Sequence, residues 1–170
     1  KKKAFWINAY NAYTIYLIIH ALNTEKIKSI TDIKKEGKTA WKIPFVNVGG
    51  IKYSLDYIEH EILRKTLFDP RIHVGVNCAS GSCPKLGNTA FTEENIEATL
   101  AQLMKDFIND TSRNKISKKK VQISSIFNWF QKDFTNNSSL IDYLNKYSET
   151  KINSNAKISY LKYDWSLNGK

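Results

Sequence analysis

Residues 4–22 read AFWINAYNAYTIYLIIHAL. They are apolar almost all round, which predicts a helix buried on most sides at the centre of the fold. The length approaches that of a membrane span. Against a span stand Asn8, Asn11, Thr14 and His20 and the tyrosines between them. Asn8, Asn11 and Thr14 recur every three residues and form one polar stripe. Buried amides need partners, so this stripe serves either as a clamp for loops or as part of a site.

Working outward, residues 43–54 (IPFVNVGGIKYS) form the clearest hairpin, two short runs around Gly49-Gly50. Ser54 is placed to cap the helix over 55–67, LDYIEHEILRKTL. At 100° per residue Leu55, Ile58, Ile62 and Thr66 share a face, and Glu59 lies on its edge. A carboxylate there must be paired or have a raised pKa; a salt bridge to Arg64 or Arg71 is the plain structural alternative to a functional role. His60 and Arg64 are one turn apart on another face.

The next stretch, 71–86 (RIHVGVNCASGSCPKL), holds both cysteines and His73. Ile72, Val74 and Val76 alternate with polar or small residues, which predicts a strand. Ala79-Ser80-Gly81-Ser82 then predicts a tight loop of small residues with room for a ligand. Cys is also among the most buried residue types and often simply packs. Further on, Thr92 is placed as an N-cap before an amphipathic helix ending near Asn109. Residues 114–123 suggest a lysine-rich turn and a strand, and 126–134 (IFNWFQKDF) an aromatic helical turn. Ser138 or Ser139 starts a helix through Tyr147, and the tail from Lys157 alternates like a strand before Tyr163-Asp164-Trp165. The expected fold is α+β: a single domain over 1–170, with several helices around a buried central one and a small, mostly antiparallel sheet.

Composition bounds the function. Hydrophobic residues at 42% and charged residues at 25% describe a globular chain with a sizeable core. The net charge is +10, but lysine supplies most of it and Arg64, Arg71 and Arg113 are the arginines. Nucleic-acid readers lean on arginine for bidentate contacts, so a solvated lysine surface is the better account. Two cysteines five apart make no disulfide framework, though an oxidising compartment would allow one small-loop bridge. The chain opens with Lys1-Lys2-Lys3 running into a helix, without Met or N-cap, and is read as missing an N-terminal segment.

Taken together, AFWINAYNAYTI, YSLDYIEHEILR, DPRIHVGVNCASGSCPKL, IFNWFQKDF and YDWSLN, in order over residues 4–168, resemble the domain of unknown function 547. That family is common in bacteria and occurs at the C-terminus of some plant proteins. Its usual domain has a further stretch upstream. Many bacterial members look exported, so the resemblance implies an extracytoplasmic setting, periplasmic or secreted. It marks Asn8, Asn11, Glu59, His60, Arg64, Arg71, His73, Asn77, Cys78, Cys83, Asp164, Trp165 and Asn168, and it brings no settled activity.

A thiol, two imidazoles, a carboxylate and amides are the parts of a nucleophilic site of papain or transglutaminase type. Cys78 is the preferred nucleophile, with Cys83 as second choice. His73 or His60 would serve as base and Glu59 as orienting acid. Asn8, Asn11, Asn77, Arg64, Cys83, Asp164 and Trp165 are the candidates for holding a peptide, protein or glycan substrate. No cofactor is called for. Two other readings stay open. One is a non-catalytic module for a peptide or an envelope glycan, with Glu59, His60 and Arg64 as structural clamps. The other, ranked last, is a metal site drawn from His60, His73, a cysteine and Glu59, whose spacing fits no zinc pattern well.

Overall fold

The computed structural model describes residues 1–169. Helix α1 (Lys2–Thr24) runs through the middle of the fold. Its buried residues are Ala4, Ile7, Ala9, Tyr10, Asn11, Thr14, Leu17 and Ala21; the series Ala4, Ile7, Tyr10 or Asn11, Thr14, Leu17, Ala21 advances by three or four positions, one face of the helix. The opposite face, with Ile15, Tyr16 and Ile19, is exposed. No helix among the described residues is long and apolar enough to cross a membrane.

Beyond α1 the chain makes two small antiparallel hairpins. Strands β1 (Lys34–Lys35) and β2 (Lys38–Thr39) form the first. Strands β3 (Val46–Val48) and β4 (Ile51–Tyr53) form the hairpin expected from Gly49-Gly50. Both glycines take positive φ (60° and 81°), as a two-residue turn that follows the strand twist requires. Ser54 caps helix α2 (Leu55–Tyr57) by accepting from the Tyr57 N–H, as expected. The helix then widens into a π-helix over Ile58–Thr66, closed by Leu67 N–H donating five residues back to Ile62 O at 2.9 Å. Nine residues of π winding are unusual and depart from the 100° spacing assumed from sequence.

Residues 71–77 are not the strand that the alternation suggests. Ile72–Gly75 is a helical turn, α3. Asp69 opens it: its Oδ1 accepts from Arg71 N–H at 2.9 Å and its carbonyl accepts from Ile72 N–H at 3.0 Å. Pro70 is at home in such a first turn. The period-two pattern misled because the whole turn is buried, His73 and Gly75 included. Ile72 and Val76, four apart, enter one core, and Val74 enters another. Gly75 is needed for space, since a Cβ there would meet Leu100 Cδ2 at 2.9 Å.

Helix α4 (Ile96–Asn109) starts later than the Thr92 cap implied. Thr92 and Asn95 instead bond reciprocally, Thr92 N–H to Asn95 Oδ1 and Asn95 N–H to Thr92 Oγ1, in a turn ahead of it. The remaining sheet has order β5 (Lys115–Ile116), β6 (Lys120–Ser124), β7 (Lys157–Leu161). Its β6–β7 pairing is parallel, while β1–β2, β3–β4 and β5–β6 pair antiparallel. Short helices α5 (Ile126–Trp129), α6 (Gln131–Phe134) and α7 (Leu140–Asn145) complete an α+β fold, the last capped by Ser139 with Asp142 in a capping box.

Two cores result. One surrounds α1 with Leu55, Ile58, Leu63, Ile72 and Leu100; the other surrounds β6 with Met104, Phe107, Phe127, Phe134 and Leu144. A cavity of about 250 Å³ touches both, through Tyr10 and Val76 of the first and Ile126 of the second.

Candidate functional site

The thiol loop is shaped by amides that the sequence offered as substrate contacts. Asn11 Nδ2 donates to Gly75 O (2.8 Å), and its Oδ1 accepts from Asn77 N–H (2.8 Å). Asn77 Nδ2 donates across the loop to Pro84 O (2.8 Å), and its Oδ1 accepts from Ala79 N–H (2.8 Å). That last bond holds Ala79 at φ +59°, a left-handed backbone unusual for alanine. The chain therefore turns at Ala79, just after Cys78. Asn8 clamps a different loop, bonding both the carbonyl and the N–H of Phe91. Arg113 secures the far side by donating to Cys83 O and Gly81 O.

Both cysteines are free, and both sulfurs border the cavity. They lie 3.2 Å apart and share a hydrogen bond. The Cys78 N–H donates to Cys83 Sγ at 3.1 Å. The hydroxyls of Ser80 (3.0 Å) and Tyr163 (3.4 Å) stand within hydrogen-bonding distance of Cys78 Sγ. Donation from Cys83, joined by Ser80 and Tyr163, outweighs burial and brings the Cys78 thiol down to about 6. Cys83 moves the opposite way, pushed up by the bond it gives Cys78 and by burial. Burial and the neighbouring thiols also push Tyr163 up, so it remains an O–H donor at neutral pH.

Two imidazoles border the same cavity, but neither is a hydrogen-bond partner of either sulfur; the sulfurs' side-chain partners are each other and hydroxyls. His73 stacks on Phe130, with centroids 4.0 Å apart. Its Nε2 faces Asp133 Oδ2 at 2.8 Å, and its Nδ1 is 3.9 Å from Glu59 Oε1. Burial alone would raise the Asp133 carboxyl; hydrogen bonds and charge from His73 and Arg64 overcome this and hold it well below the usual range. Arg64 meets Asp133 with two parallel bonds, Nε–Oδ2 2.7 Å and Nη2–Oδ1 3.0 Å. Its Nη1 also donates to His60 Nδ1 at 2.8 Å. A guanidinium can only donate, so a neutral His60 carries its hydrogen on Nε2, pointed at Asp56 Oδ1 3.3 Å away. Glu59 is buried and accepts from Tyr10 O–H at 3.2 Å. Its expected arginine partners are engaged elsewhere, Arg64 with Asp133 and Arg71 with Asp69 and Glu97.

The structure thus brings Cys78, Cys83, His60, His73, Glu59 and Trp165 to one cavity. It places Asn11, Asn77 and Arg64 in supporting bonds around it, whereas Asn8 holds the separate loop at Phe91. Asp164 is exposed, and its Oδ1 accepts from Ser166 N–H and O–H. Sequence reasoning missed Asp133, Ser80, Tyr163 and Tyr10. Asp133 was signalled only by an acid set between Phe130 and Phe134, and its partner His73 is 60 residues away. Among the described residues no three His, Cys, Asp or Glu side chains converge as metal ligands would.

A family model described as "Protein of unknown function, DUF547" matches residues 1–108, well over half of the chain. No curated protein matches it, and no solved structure does.

Proposed function

The chain belongs to the DUF547 family, and we propose that its cavity is a nucleophilic site in which the Cys78 thiolate attacks the carbonyl of a peptide or amide bond, as a hydrolase or acyltransferase. One observation carries this reading: a sulfur bordering an open cavity, with the Cys83 thiol and the Ser80 and Tyr163 hydroxyls within hydrogen-bonding distance of it. In the proposed cycle the Cys78 proton passes to His73 Nδ1, whose ring Asp133 orients through Nε2. The thiolate forms an S–C bond, the C–N bond breaks, and the leaving amine takes the proton from His73. Water or a second amine then cleaves the thioester and restores the thiol. Glu59 Oε1 stands 3.9 Å from His73 Nδ1, on the side of the ring away from Asp133.

The test is acyl transfer from p-nitrophenyl acetate. The expected result is a burst of p-nitrophenolate with one acetyl group on Cys78 by mass spectrometry, lost in Cys78→Ser and kept in Lys118→Ala. Failure to acetylate Cys78 at neutral pH overturns the proposal. A second reading, a binding module for a peptide or glycan, draws on the lack of an imidazole bonded to either sulfur. On that reading Cys78→Ser leaves ligand binding and biological activity intact.

A further inference from the structure

The protein carries a net charge of +10, yet the cavity beside the thiols is lined by Asp56 and Glu59 with His60 and His73, and no lysine or arginine is among its lining residues. Three of the chain's four tryptophans, Trp41, Trp129 and Trp165, line it as well, together with Tyr163. The rings do not form one flat platform. Trp41 meets Trp165 edge-on at 76°, with centroids 5.8 Å apart. Tyr163 is tilted by 52° to both Trp165 (4.6 Å) and Trp129 (4.8 Å). Trp129 and Trp165 lie nearly parallel, at 17° and 5.7 Å.

Ring faces carry negative potential, and a cavity wall built of tryptophan and tyrosine rings suits an ammonium group. The acidic side chains add Coulomb attraction of the same sign. Asp56, whose Oδ1 lies 3.3 Å from His60 Nε2, is still accessible for it, its side chain being 41% exposed. Arg64, over Phe130 at 4.8 Å, is paired with Asp133. Lysines outside the cavity act through salt water, which screens them over about 10 Å.

We propose that this cavity binds an ammonium-bearing side chain, a lysine or a close amine relative, between its tryptophans and Asp56. The proposal names the substrate class for the nucleophilic site above and rests on that reading for its biological sense, but binding itself needs no chemistry at sulfur.

The experiment titrates the full chain, as wild type and as Cys78→Ala, with three probes: N-acetyl-lysine methylamide, its norleucine analogue without the ammonium, and N-acetylglucosamine. Tryptophan emission and calorimetry report binding. The lysine probe should bind about tenfold more tightly than the norleucine probe in both proteins. Asp56→Asn, at an accessible position, should shrink that ratio several-fold without loss of fold by circular dichroism. Equal affinity for the two amino-acid probes, preference for the sugar, or no binding at all overturns the proposal. Ammonium preference alongside a Cys78 that cannot be acetylated instead overturns the nucleophile and leaves the ligand class standing.

Discussion

Cys78 owes its acidity to neighbours that can be removed one at a time. The thiolate fraction rises as pH climbs through the thiol's pKa, so iodoacetamide should label Cys78 with a rate that rises between pH 5 and 7 and is flat by pH 8. Cys83, pushed upward, should label far more slowly across that range. In Tyr163→Phe one donor is lost, and the midpoint should move from about 6 to about 7. Cys83→Ala removes the largest contribution and should move it further; the reverse order would refute the assignment of Cys83 as the main donor. Asp69 gives a second titration. Burial opposes ionisation there, but bonds from Arg71 and Lys3 bring the carboxyl to about 2. A depressed carboxyl stabilises the fold above its ordinary pKa, and that stabilisation fades as pH falls toward 2. Urea unfolding between pH 5 and 2 should show wild type losing roughly 2 kcal/mol that Asp69→Asn, already weakened, does not lose.

At the scale of elements, α3 is where packing overrules pattern. Ile72, Val74 and Val76 alternate as in a strand, yet Asp69-Pro70 starts a helical turn and two cores share its faces. Alternation identifies a strand only where one face is solvated, and here neither is. Gly75→Ala should destabilise the protein by about 1–3 kcal/mol through overpacking on Leu100 and Ile7. Gly87→Ala, whose nearest contacts lie at 3.8 Å, should be near neutral in the same denaturation assay. The hairpin at Gly49-Gly50 and the caps at Ser54 and Ser139 were legible because their chemistry is local. The π winding of Ile58–Thr66 was not, since no residue type marks it. It still leaves His60 and Arg64 in contact, as a helical one-turn spacing also would.

Across the whole molecule, the site joins distant parts of the chain. The segment matched by the family model, residues 1–108, holds both thiols, His60, His73 and Glu59. Asp133, Trp129, Tyr163 and Trp165 come from beyond it. Candidate nucleophile and imidazoles could therefore be picked from short motifs, whereas the acid that orients His73 is revealed only by tertiary pairing. Tail and thiol loop are laced by backbone bonds: Gly81 N–H to Ser166 O, Ser82 N–H to Asp164 O, and Asn168 N–H to Ala79 O. A Cβ on Gly81 would strike Asp164 Oδ2 at 2.8 Å, so the two segments lie in close contact. Amide hydrogen exchange should release Gly81, Ser82 and Asn168 together, as one opening unit; independent rates would mean the lacing is loose.

This lacing sets an order of events at the ribosome. Ser80 is made 83 residues ahead of Tyr163, so Cys78 emerges with Cys83 and Ser80 close by in sequence and Tyr163 still to come. The Tyr163 share of Cys78's acidity arrives only when the late-emerging tail docks.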